Sequence, residues 1–123
     1  KHHSGATLTL SMKNWMGSVA NEDRRAWHSN DLHQCIADFN TFIRPKLVII
    51  DATRIMLTKG PQGPGDLEHP HELILSTDPV AADAYAATLF KKAPFDIAYI
   101  QLGHEMGVGC GDLAKIKVER IEA

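Results

Sequence analysis

KLVIIDATRIMLTKGPQGPGDLEHPHELILSTDPVAADAYAATLF, residues 46–90, decides how the rest of the chain is read. Leu47 to Ile50 is an unbroken apolar run with no polar residue alternating through it, the pattern of a central strand covered on both faces. It ends on Asp51. A loop punctuated by Gly60, Gly63 and Gly65 and by Pro61, Pro64 and Pro70 follows, and then a second short strand over Leu73 to Leu75. Asp78 before Pro79 marks a helix start, because a carboxylate accepts orphan N–H groups at the cap and proline is preorganised for the first turn. Open α/β sheets bind ligands beyond the carboxyl ends of their strands, so Asp51 and the glycine-rich loop mark the expected site. Whether the two strands pair antiparallel or are joined by a wide crossover stays open.

Outward from this stretch, the small side chains of Ala81, Ala82, Ala84, Ala86 and Ala87 allow the helix to lie close against a sheet. Asp96 is positioned to cap a further helix through Met106, closed by Gly107. Ile116 to Val118 has one apolar face and reads as an edge strand. Upstream, Leu8, Met12, Trp15, Met16 and Val19 share one helical face, which predicts a helix over residues 6–19, although Thr7 to Leu10 alternate like a strand. Residues 20–30 are polar and read as a surface connection. Asn30 or Asp31 then caps a helix through about Phe42, with Leu32, Cys35, Ile36, Phe39 and Ile43 on its buried stripe and Pro45 stopping it. Helices alternating with buried strands give an α/β class: a layered sheet of few strands flanked by helices. The strand inventory is short, so the 123 residues are expected to form one domain that is part of a larger one, with either self-association through an uncovered sheet or lower stability than a chain extended upstream as a consequence.

Composition narrows the function classes. A net charge of −2 with scattered Lys and Arg disfavours nucleic acid as the main partner. No apolar run approaches the roughly 20 residues of a membrane span, so a soluble, cytoplasmic protein is expected, with an upstream export signal left open. Cys35 and Cys110 are too far apart in sequence to form a CxxC motif, and they read as independent reduced thiols. The chain opens at Lys1-His2-His3 without an initiator Met, so it reads as a fragment or as carrying an appended segment.

Four groups of residues suit chemistry. Lys1, His2 and His3 could hold an anion or a metal, or belong to a tag. Lys13, Asn14 and His28 combine a cation, an amide and an imidazole, a set suited to a carboxylate or phosphate, or they are solvated surface residues. Asp51 with Gly60, Gly63 and Gly65 offers a base or metal ligand beside backbone N–H groups able to hold an anion; a merely structural loop reads the same way. The loop matches neither the dinucleotide fingerprint nor the phosphate loop. Long glycine-rich loops also serve as lids, and the segment from Thr58 to Glu72 is expected to be the most mobile internal one. Asp83 lies on the alanine-rich helix with no capping duty to explain it.

KHHSGATLTLSMKNWMG, His28, VIIDA, GPQGPG, STDPVAADAYA and GHEMGVGCGD, in this order, resemble the bacterial and archaeal family called domain of unknown function 362. The resemblance covers nearly the whole chain and is to the later part of that family's domain. It draws Lys1, His2, Lys13, Asn14, His28, Asp51, Asp78 and Asp83 toward function. Some members carry cysteine-rich ferredoxin segments, which this chain lacks. A distant similarity to the nickel-dependent lactate racemase group implies a divalent or transition metal as a possible cofactor. The expectation is a polar cleft at strand ends that binds a small anionic substrate or cofactor through Lys1, His2, Lys13 and Asn14. His28, Asp51 and Asp83 are the acid/base candidates, and His2, His28 and Asp51 the metal candidates. The alternative is a non-catalytic or redox-accessory module working with an iron–sulfur protein.

Overall fold

The computed structural model describes residues 1–122. Its regular elements are short strands and helices in the order β1 (His2–His3), β2 (Thr7–Leu8), α1 (Ser11–Asn14), α2 (Asn21–Ser29), α3 (Leu32–Phe42), β3 (Val48–Ala52), β4 (Ile55–Met56), β5 (Leu67–Glu68), β6 (Glu72–Ser76), α4 (Pro79–Leu89) and α5 (Ala98–Glu105). Three single-turn 3-10 segments, Trp15–Ser18, Pro94–Asp96 and Leu113–Lys115, join or follow them. The class is α/β, with small antiparallel sheets flanked by helices.

β3 and β6 form the main ribbon. They pair antiparallel, with Val48 opposite Ser76, Ile50 opposite Ile74 and Ala52 opposite Glu72. Side chains alternate across a strand, so Val48, Ile50, Ala52 and Ile74 face α4, while Leu47, Ile49, Leu73 and Leu75 point the other way. Here the reading of a strand buried on both faces is corrected. Ile49 is 61% exposed and Leu73 62% exposed, because among the described residues β6 is the one strand paired with β3 and helices cover a single face of the ribbon.

α4 starts as its sequence demands. Asp78 Oδ1 accepts the Ala81 N–H at 2.9 Å, Pro79 occupies the first turn, and the alanines bury almost completely between the ribbon and α5. The same Asp78 carboxylate takes the Cys110 N–H at 2.8 Å through Oδ2, tying the segment after α5 back to the start of α4. α5 closes at Gly107, whose φ of +73° suits a residue without Cβ. Asp96 lies in the 3-10 turn before α5 and accepts from Ala93 rather than capping the helix. Met12, Met16, Ile36, Val80, Ile97, Tyr99 and Ile100 form the centre of the core.

Three further expectations are revised. Residues 6–19 are not one helix: Thr7 and Leu8 pair with β1, and the helical part is the single turn of α1 followed by a 3-10 turn. The stripe was real, since Leu8, Met12 and Met16 are all buried, but it spans two kinds of backbone. Residues 20–30 are not a loop. They contain α2, whose Trp27 ring stacks obliquely against Phe39 of α3, 5.3 Å between centroids. Ile116 to Val118 forms no strand; Ile116 packs at the core margin and the chain beyond it is exposed. α3 has the expected bounds, with Asp31 Oδ1 capping through the Gln34 N–H at 3.1 Å, but of its stripe only Leu32 and Ile36 are buried, while Cys35, Phe39 and Ile43 are half-buried.

Candidate functional site

The site is built on α1, and α1 is held from behind by Asp83. This carboxylate, wholly buried on α4, accepts the Ser11 N–H at 2.8 Å, the Ser11 hydroxyl at 2.6 Å and the Met12 N–H at 3.0 Å. α1 is too short to hold its own ends, so its first N–H groups are satisfied by a side chain from another helix. Burial pushes the Asp83 carboxyl up to about 7, against the pull of these three hydrogen bonds. Asp83 was a candidate acid or base, yet it is closed off from solvent, and its visible work is to orient the turn that carries Lys13 and Asn14.

Lys13 and Asn14 leave this turn on different sides. Asn14 is exposed and borders a cleft of about 260 Å³ with Lys1, Thr9, Ser11, Asp51 and Arg54. Lys13 is buried, 8% exposed, and among the described residues it makes no ion pair and no side-chain hydrogen bond. Burial and then the charges of Lys1 and Arg24 lower its pKa. Its ammonium keeps contact with water, so a cation partly withdrawn from solvent stands beside other cations with no counter-charge of its own.

His3 completes this cluster. Its Nδ1 accepts the N–H groups of Gly5 and Ala6, both at 3.1 Å, and its ring lies 6.0 Å from that of His28 on α2. Burial, and then the positive fields of Lys13, His28, His2 and Lys1, bring its pKa down to about 4, so the ring is neutral near pH 7. His28 is exposed, with Nδ1 2.7 Å from the Arg24 carbonyl oxygen. Arg24 itself binds the Asn21 side chain.

The glycine-rich loop reaches the site in an unexpected way. The Gly60 N–H donates to His2 Nδ1 at 3.1 Å, and Lys1 Nζ donates to the Pro61 carbonyl at 3.3 Å. A Cβ on Gly60 would sit 1.8 Å from the His2 carbonyl oxygen, and one on Gly65 1.8 Å from that of Thr58, so both positions require glycine for close backbone approach. The Gly63 N–H is taken by the Lys59 carbonyl at 2.9 Å, with φ of +67°. The N–H groups of Gly60 and Gly63 are therefore spent inside the protein. The loop's visible contribution is to seat His2.

Asp51 is exposed on the other side of the cleft. It accepts the Thr53 N–H at 2.9 Å, and hydrogen bonds from Thr53 hold its carboxyl below the usual range, which makes it a charged group and a weak base. The structure thus separates the candidates into a cationic cluster of Lys1, His2, His3, Lys13, Arg24 and His28, and a cleft shared by Lys1, Asn14, Asp51 and Arg54. His28 does not line that cleft. Among the described residues, no three His, Cys, Asp or Glu side chains converge on a metal-sized position, so His2, His28 and Asp51 form no shared ligand set. His2 and His3 also point away from metal binding, since a neutral ring accepting at Nδ1 carries its proton on Nε2.

His3 was weighed with Lys1 and His2, whereas Arg24 and Arg54 carry no site expectation from the sequence. Reading α2 as a loop hid Arg24, although Glu22 and Asp23 in the first turn and His28 in the last carry the charge pattern of a helix. Arg54 gives no sequence signal; the turn after β3 brings it to the cleft.

Among the described residues, no helix is long and apolar enough to cross a membrane. No curated protein and no solved structure matches the chain, and the similarity to the nickel-dependent lactate racemase group has no counterpart in these comparisons. The family described as Domain of unknown function (DUF362) matches residues 1–88, the part that contains β1 to β6, nearly all of α4 and every residue of the cationic cluster, and the chain belongs to that family.

Proposed function

We propose that the chain binds a small oxyanion, a carboxylate or phosphate of substrate or cofactor size, at the cluster of Lys1, His2, His3, Lys13 and His28, with Asn14 and the cleft beside it taking the rest of the ligand. The observation that carries this reading is the buried, partnerless Lys13 among other cationic or donor groups. An anion would supply the missing counter-charge, and charge-assisted hydrogen bonds are among the stronger polar contacts. Asp83 serves by positioning α1, and Asp51 by bordering the cleft.

Calorimetric titration with inorganic phosphate, on wild type and Lys13→Met, tests the reading. Wild type should bind, and Lys13→Met should lose about tenfold or more in affinity. Without phosphate the same variant should be at least as stable as wild type, since a partly desolvated cation among like charges has been replaced by an apolar chain of similar length. Unchanged binding in Lys13→Met would overturn the proposal.

A second reading, a non-catalytic accessory module docking on an iron–sulfur protein, draws support from the exposed apolar face of Leu47, Ile49, Leu73 and Leu75. Iron analysis of the purified protein separates the two: iron from a co-purifying iron–sulfur protein, lost in Ile49→Lys with Leu73→Glu, favours the accessory module, whereas iron-free protein that binds phosphate favours the oxyanion site.

A further inference from the structure

The two rings that face each other across the cluster have opposite hydrogen-bonding character. His3 Nδ1 accepts two backbone N–H groups, at 3.1 Å each, so its proton resides on Nε2 and its free nitrogen is a donor. His2 is in the same state, its Nδ1 accepting from Gly60 at 3.1 Å. His28 is reversed. Its Nδ1 lies 2.7 Å from the Arg24 carbonyl oxygen, which can accept but never donate, so Nδ1 holds the proton and Nε2 keeps a lone pair. The His3 and His28 ring centroids are 6.0 Å apart. The ammonium groups of Lys1 and Lys13 and the guanidinium of Arg24 can only donate. Among these imidazole, ammonium and guanidinium groups, His28 Nε2 is thus the free nitrogen that accepts.

A fully deprotonated oxyanion suits the donors but presents an oxygen lone pair to that of His28. An oxyanion that retains its own O–H satisfies both. We infer that the site selects oxyanions bearing a hydroxyl proton, the O–H donating to His28 Nε2 while the charged oxygens accept from His3 and Lys13; this rests on the anion-binding reading above.

Hydrogen phosphate and sulfate at about pH 8 carry the same charge and differ in this one proton. Wild type should bind hydrogen phosphate about five- to tenfold more tightly than sulfate, the worth of one hydrogen bond made against one opposed. His28→Ala should bring the ratio near one. His28→Gln, whose amide oxygen accepts, should keep part of the preference. His28 is exposed on α2, so both variants are expected to fold, and circular dichroism checks this. Equal binding of the two anions by wild type, or an undiminished preference in His28→Ala, overturns the inference and leaves anion binding standing. Binding of neither anion overturns anion binding itself.

Discussion

His3 and Asp83 are buried titratable residues on either side of α1, and their protons are linked to stability with opposite sign. His3 has its pKa lowered from 6.5 to about 4 by burial and by the surrounding cations, so the folded protein binds fewer protons there than the unfolded chain. Its contribution is present above about 6.5 and is lost as pH falls toward 4. Asp83 has its pKa raised from 3.8 to about 7 by burial, so the folded state holds a proton that the unfolded chain releases. Its contribution is present below about 3.8 and is lost as pH rises toward 7. Over pH 4 to 6.5 the two slopes oppose each other, and from these two residues wild type should show little net change. His3→Asn, with its Oδ1 able to accept where Nδ1 does, should uncover the Asp83 slope. Urea unfolding at several pH values should then show stability falling from pH 4 to 7 in the variant; a variant curve parallel to wild type would contradict this account.

At the scale of elements, Asp78 joins two segments that no strand or helix connects. Oδ1 caps α4 at Ala81, and Oδ2 holds the Cys110 N–H beyond α5. Asp78→Ala should therefore cost more than the roughly 1 kcal/mol of an ordinary cap, about 2–3 kcal/mol in all. Urea denaturation measures the loss, and hydrogen exchange should show Cys110 deprotected well before α4 opens. A loss no larger than an ordinary cap would mean that the second contact carries nothing. The glycine-rich loop is likewise anchored, by the β4–β5 pairing and by the Thr58 and Asp66 side chains, which meet at 2.9 Å. These contacts give it a defined seat against β1.

For the whole molecule, the notable surface is the outer side of the β3–β6 ribbon. Leu47, Ile49, Leu73 and Leu75 are each more than half exposed and lie together, and each strand of the ribbon has one unpaired edge. Contiguous apolar surface beside open strand edges favours association. We expect sedimentation velocity to show concentration-dependent self-association, and Ile49→Lys with Leu73→Glu to shift the protein toward monomer without loss of helical signal. A monomer at every concentration in wild type would refute this. The core gains nothing from these side chains, so the double variant should change stability by no more than about 0.5 kcal/mol per site.

Sequence alone determined the elements whose signals are local. Asp31 and Asp78 announced their helices because a cap is a contact over three residues, and Gly107 announced a helix end for the same reason. The run before Asp51 announced a strand through its branched side chains. Only the tertiary structure decided which face of β3 is covered, since that depends on how many strands and helices pack there and not on the run itself. It also decided that Asp83 works from behind α1, that Gly60 spends its N–H on His2, and that Lys13 is buried without a partner. Each of these joins residues tens of positions apart, and no local pattern encodes a contact whose geometry is set by the packing of the elements between.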